Sequence, residues 1–117
     1  GVPLVHFGTG TAEILDLMRD AGASVVGVDY RLPLDEANRR LGNAPGPDGR
    51  TRVPLQGNID PALLSADWEV LEAHVRDVIA RGAEAPGHVL NLGHGVPPTT
   101  DPTVLTRVVE LIHSIDY

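Results

Sequence analysis

The chain has no cysteine, no lysine, few aromatic residues and no long apolar run. Without cysteine there is no disulfide framework, no thiolate metal site and no cysteine nucleophile. With aromatics at 3%, aliphatic and alanine side chains must fill any interior. No window holds the roughly 20 consecutive apolar residues that a membrane-spanning helix needs. Positive charge is short as well: nine basic residues, all arginine, stand against 16 acidic ones, for a net charge of −7. A nucleic-acid partner needs a basic stripe to displace counterions, so this balance argues against one. If the ligand is instead a polyanion, most of the cations that neutralise it must come from outside these residues.

What is present is enough apolar material for a core, at 42% hydrophobic residues in a chain of 117. That length suits one small domain or a piece of a larger one. Residue 1 is glycine rather than methionine and runs directly into an apolar strand, with no basic leader or signal-type segment. The expectation is a cytosolic chain, or a fragment cut from a longer one.

Four units of one type follow each other. Val2–Gly8 reads as a strand, the Thr9-Gly10-Thr11 turn follows, and Ile14, Leu15, Leu17, Met18 and Ala21 form the apolar stripe of a helix ended by Gly22. Ser24–Asp29 is apolar almost throughout rather than alternating, which marks a strand covered on both faces and hence a parallel sheet. Its helix opens at Pro33 with Leu34, Ala37 and Leu41 inward, and the spacing predicts Asp35–Arg39 and Glu36–Arg40 pairs outside. Residues 42–50 are rich in proline and glycine and read as a mobile surface loop, because the repeat resumes directly after them. Arg52–Asn58 is a short third strand, turned by Ile59-Asp60-Pro61 into a brief helical turn at Leu63 and Leu64. Asp67 then caps a helix with the stripe Trp68, Leu71, Val75, Val78 and Ile79, closed by Gly82. The last strand, His88–Leu92, ends in Gly93-His94-Gly95. Asp101 and Pro102 open a final helix with Val104, Leu105, Val108, Leu111, Ile112 and Ile115 inward. The order βαβαβαβα defines an α/β fold with right-handed crossovers. It does not choose between a flavodoxin-like sheet and part of a (βα)8 barrel, of which this length supplies about half.

The residue that stands out is His94. A glycine on each side leaves the imidazole open space at the C-terminal end of a strand, where ligands sit in such folds. The plainer alternative is a polar turn residue that caps the strand. Gly8-Thr9-Gly10-Thr11 has the look of an anion cradle, but no Lys-Ser/Thr follows the glycines, and a tight turn with an N-cap threonine is the simpler account. Asp29 ends a buried strand, where a catalytic carboxylate is one reading and orienting a neighbouring loop the plainer one. Asn58 and Asp60 are expected to build the turn before Pro61. His6 and His88 read as packed strand residues, His74 and His113 as surface or boundary positions, and Trp68 as core. Arg31 is the single arginine placed near the strand ends.

Three pieces, Val25-Val26-Gly27-Val28-Asp29-Tyr30, Leu55-Gln56-Gly57-Asn58-Ile59-Asp60-Pro61 and Asn91-Leu92-Gly93-His94-Gly95, occur in the order and at the strand ends found in the C-terminal half of the uroporphyrinogen decarboxylases, which the chain resembles over essentially its whole length. Only the loop at 42–50 looks inserted. The resemblance implies the last four units of a (βα)8 TIM barrel, residues 1–117 forming one segment of a longer chain. It implies removal of the four acetate carboxyls of uroporphyrinogen, a tetrapyrrole, to give coproporphyrinogen in haem biosynthesis, with no metal and no organic cofactor, in a cytosolic homodimer. The family's motif histidine falls on His94, which it makes a substrate-binding residue. The family's aspartate for the pyrrole N–H groups, its tyrosine, its serine or threonine and its N-terminal arginines have no counterpart here, so no catalytic residue is assigned to this segment. Two alternatives stand beside this reading. One is a corrinoid or thiol methyltransferase of the same superfamily, which would hold zinc through histidine and cysteine; the missing cysteine counts against it. The other is a non-catalytic half-barrel binding module.

Overall fold

The computed structural model describes residues 1–42 and 52–115. Its elements are β1 (Val5–His6), α1 (Leu15–Asp20), β2 (Val25–Gly27), α2 (Leu34–Arg40), β3 (Leu55–Gln56), a 3-10 helix (Pro61–Ser65), α3 (Trp68–Gly82), β4 (His88–Val89) and α4 (Pro102–Ser114). All four strands are parallel and lie in the order β1-β2-β3-β4. The proline- and glycine-rich loop expected at 42–50 falls, apart from Gly42, outside the described residues.

The strand order settles the fold question that the repeat left open. A flavodoxin-like sheet reverses direction at a switch point and so places helices on both faces. A strictly sequential order with right-handed crossovers places every helix on one face and leaves the other bare. Consecutive helices accordingly pack side by side, α1 on α2, α2 on α3 and α3 on α4. The core lies between this helix layer and the sheet, with Leu15, Met18, Val26, Val28, Leu34, Leu55, Ile59, Leu71 and Val75 all buried. On the opposite face the register Gly27↔Gln56↔Val89 sets lateral neighbours, and Phe7 lies over Gly27, where a Cβ would sit 2.8 Å from the Phe7 Cβ. That face is open: Val5 is 52%, Phe7 42% and Val89 52% exposed. This is the geometry of part of a (βα)8 barrel seen from inside, with β1 and β4 as unpaired edges.

The strands begin later than the sequence pattern predicts. Pro3 and Pro54 have no N–H to give at the entry of β1 and β3, so the ladders open one or two residues beyond them. At the other end, pairing continues past the formal strands through Val28 N–H to the Gln56 carbonyl (2.8 Å), Gly57 N–H to the Val89 carbonyl (2.9 Å) and Gly93 N–H to the Ile59 carbonyl (2.8 Å).

Helix faces follow the predicted stripes with some corrections. In α2, Leu34, Ala37 and Leu41 are fully buried, and α3 and α4 turn their apolar stripes inward. In α1 the buried residues are Leu15, Met18 and Arg19, while Ile14 and Leu17 face solvent. Arg19 is tolerated there because its Nη1 donates to the Leu41 carbonyl at the end of α2. Asp35 pairs with Arg81 of α3 and not with Arg39. Arg39 reaches Glu36 one turn back, and Arg40 joins it, so hydrogen bonds from the two guanidinium groups pull the Glu36 carboxyl down to about 2. Asp101 caps α4 by accepting from Thr103 N–H. Asp67 stands at the N-cap of α3 without a side-chain capping bond. Trp68 is half-buried rather than core, with the Arg107 guanidinium 4.0 Å above its ring. No helix among the described residues is long and apolar enough to cross a membrane.

Two open edges and a bare apolar face are association hazards. Residues 1–117 expressed alone are expected to self-associate in light scattering, and Phe7→Ser with Val89→Thr to reduce that association. A clean monomer from the unmodified segment would count against the half-barrel reading.

Candidate functional site

The loops that leave the C-terminal strand ends are tied together around Asp29 and Tyr30 at the end of β2. Asp29, 3% exposed, follows β2. Its Oδ2 accepts from the Gly10 N–H of the first loop (3.1 Å) and from Arg31 Nη1 (2.6 Å), and its Oδ1 accepts from the Arg31 N–H (2.8 Å). Its backbone carbonyl accepts from Asn58 Nδ2 of the third loop (3.0 Å), and the same amide also donates to the Leu32 carbonyl. A carboxylate so buried is costly unless its oxygens are satisfied, and here the satisfying donors come from two different loops. The fourth loop joins through Tyr30, whose N–H donates to the Gly93 carbonyl (3.3 Å). The approach is so close that a Cβ on Gly93 would collide with the Tyr30 backbone N. Glycine at 93 is therefore a packing requirement before it is anything else.

The second, third and fourth loops border an open cleft of about 260 Å³ lined by Tyr30, Arg31, Asp60, Pro61, His94 and Pro97. His94 is exposed and stands in this cleft at the strand ends. The Gly95 N–H donates to its Nδ1 (2.6 Å), so that nitrogen carries no proton and the neutral ring holds its hydrogen on Nε2. The imidazole thus presents a donor. Arg31 lines the same cleft with its guanidinium 4.5 Å over the Tyr30 ring. Asp60 does not face a ligand freely: its Oδ1 accepts from the Ala62 N–H and caps the 3-10 helix.

The other sequence candidates separate into those the cleft uses and those it does not. Asn58 was expected to shape its own turn; it is instead buried and ties the β3 loop to the β2 loop. Thr11 does not cap α1, which starts at Leu15; its hydroxyl donates to the Gly8 carbonyl (2.7 Å) and closes a local turn. His6 is exposed on the edge strand, not packed. His88 is half-buried, with Nε2 2.6 Å from the Gly57 carbonyl, and His113 is exposed. His74 is half-buried, a boundary position as expected, and its Nε2 accepts from the Asp60 N–H (3.0 Å), anchoring the β3 loop from behind. Burial pushes its imidazole below the usual 6.5, against the pull of Asp60 and Asp77. The signal was in the spacing, because 74 falls on the same stripe as Leu71, Val75 and Val78. Among the described residues no three His, Asp or Glu side chains converge as metal ligands.

Sequential parallel strands, a one-sided helix layer and a polar cleft at the C-terminal strand ends define a segment of a (βα)8-barrel protein, a fold in which ligands bind at the loop face. A sequence model described as uroporphyrinogen decarboxylase (URO-D) matches residues 1–115, and the chain belongs to that family. It is 76% identical over 115 residues to the uroporphyrinogen decarboxylase of Arthrobacter sp. (strain FB24), covering 98% of this chain and 31% of that one. It is 62% identical over 112 residues to the enzyme of that name from Leifsonia xyli, covering 96% and 28%. Against that of Streptomyces avermitilis it is 56% identical over 114 residues, covering 97% and 30%. The chain thus spans about 30% of the length of the curated relatives it matches.

Two outcomes follow for the complete protein. Asn58→Ala strands the buried Leu32 carbonyl, leaves the Asp29 carbonyl with only the Leu32 N–H (3.3 Å), and should lower stability by about 1–3 kcal/mol, read by denaturant unfolding. Because the folded state favours neutral His74, the unfolded chain binds more protons below 6.5. His74 therefore contributes stability present above pH 6.5 and lost as pH falls through and below it. His74→Gln, which keeps an acceptor for Asp60, should melt with a smaller drop between pH 7.5 and 5.5 than the parent. An identical drop would remove His74 as the titrating group.

Proposed function

We propose that the whole protein is a uroporphyrinogen decarboxylase, which removes the four acetate carboxyls of uroporphyrinogen to give coproporphyrinogen, and that residues 1–117 supply the C-terminal half of its barrel. The observation that carries this is the 76% identity over nearly the whole segment to a relative bearing that name. The cleft at the strand ends adds to it, since a donor imidazole and one exposed guanidinium suit a ligand with carboxylate arms.

The chemistry needs neither metal nor organic cofactor. When a pyrrole carbon is protonated, the ring becomes an electron sink. The carbon–carboxylate bond of the acetate arm breaks, carbon dioxide leaves and its bonding electrons flow into the ring. A proton then adds to the exocyclic methylene to give methyl, and the ring proton is lost. The protein must shape the macrocycle, supply and retrieve protons and exclude water. The role proposed for His94 is to donate from Nε2 to an acetate or propionate carboxylate of the substrate, with its tautomer held by the Gly95 N–H. A general-acid role is not favoured, because among the described residues no carboxylate is bonded to the ring to tune it.

A substrate with eight carboxylates needs a basic pocket, and this acidic segment does not provide one. The remaining positive charge, and the proton donor, are assigned to the other part of the protein. We further propose a cytosolic homodimer with no nucleic-acid partner, the latter supported by the net charge of −7.

The test is His94→Ala in the complete enzyme. A hydrogen bond to a charged group contributes about 1.5–3 kcal/mol, so kcat/KM for uroporphyrinogen should fall roughly 10–100-fold. The melting temperature should stay within a few degrees, because the side chain is exposed. Unchanged steady-state kinetics would remove its role.

A further inference from the structure

We infer that Arg31 is a second substrate-binding residue of this segment, recognising a carboxylate arm different from the one His94 engages. The inference rests on the decarboxylase reading above for the identity of the ligand, and on the geometry of Arg31 for the rest. Arg31 is held from two sides. Asp29 takes both its backbone N–H and its Nη1, and the guanidinium lies 4.5 Å over the Tyr30 ring. A side chain fixed in this way has already lost most of its rotamer freedom before a ligand arrives, which is the cost that usually weakens arginine recognition.

The pairing is also lopsided. Asp29 is 3% exposed, whereas the Arg31 side chain remains 55% exposed. Asp29 takes a single guanidinium bond, through Nη1, and among the described residues Nε and Nη2 make none. Had Arg31 served only to neutralise a buried carboxylate, a bidentate and covered pair would be the expected form. What stands in the cleft instead is a preset cation with donors to spare, beside His94 and the Asp60-Pro61 turn. The two acidic groups nearby are both turned to other partners, Asp29 to Gly10 and Arg31, and Asp60 to the Ala62 N–H.

Most other described arginines are spoken for elsewhere. Arg39, Arg40, Arg76 and Arg81 pair with acidic residues on the helix layer, Arg19 is pinned under α2 and Arg107 covers Trp68. Arg31 sits on the second loop and His94 on the fourth, so the two hold a polycarboxylate at two points across the cleft mouth.

The experiment compares the complete enzyme with Arg31→Gln and Arg31→Lys, measuring KM, kcat, melting temperature and the distribution of partly decarboxylated products. For Arg31→Gln, KM for uroporphyrinogen should rise about tenfold with kcat within about threefold, the loss of one charge-assisted contact, and intermediates with five to seven carboxylates should be released. Arg31→Lys should restore part of the KM, since it keeps the charge but not the fork. A lowered melting temperature with parental KM would mean that Arg31 only supports Asp29, and would overturn the inference. If Arg31→Gln fails to fold, Arg31→Lys decides: a several-fold rise in KM supports substrate contact, and parental KM refutes it. An unsubstituted enzyme that leaves uroporphyrinogen intact would instead bring down the functional reading, an outcome separate from either.

Discussion

The site face depends on how a single carboxylate is satisfied in the interior. Asp29 has almost no access to water, and its oxygens take donors from the first and second loops while its carbonyl takes one from the third. Each of these bonds is worth little net of the water it replaces, but an oxygen left without one would cost its full desolvation. The penalty, more than the gain, makes the loops cohere. Remove any donor and the carboxylate must move toward solvent, carrying Tyr30 and Arg31 with it. The fourth loop is tied to the same strand end by a different means, the close backbone approach of Gly93 to Tyr30.

Below the loops, the arrangement is set by connectivity rather than by side-chain detail. Each strand joins the sheet beside its predecessor, so every crossover helix lands on one side. The result is a layer of helices with a well-filled interface to the sheet and a second sheet face carrying Val5, Phe7 and Val89 toward empty space. A closed barrel would use that face as its interior. A sheet extends only at its edges, which in this order are β1 and β4.

Much of this was readable in the residues. The four-unit repeat, the parallel character of the sheet, the buried stripes of α2, α3 and α4 and the Asp101 cap all follow from short-range patterns that the structure keeps. The resemblance carried by the three strand-end motifs led to the family. What was not readable was decided by partners distant in sequence. Asn58 looked like a turn former, because nothing local shows that its amide bridges to carbonyls 26 and 29 residues away. Asp35 has an arginine at the right spacing on its own helix, yet Arg81 arrives from α3 and takes it. The burial of Arg19 and the backbone bond of His74 were hidden for another reason: polar identity masks a place on a buried stripe, although each has a backbone partner to satisfy it. A stripe position deserves weight even when a titratable residue occupies it.

The hydrogen bond inside the Gly93-His94-Gly95 turn has a wider implication. Because the proton's place on the imidazole is dictated by the very next peptide group, it owes nothing to residues contributed from elsewhere. The polarity of that ring is a property of three consecutive residues. It travels with the turn into whatever enclosure the remaining strands complete, and a ligand's shape can change around it without reversing which end gives and which receives.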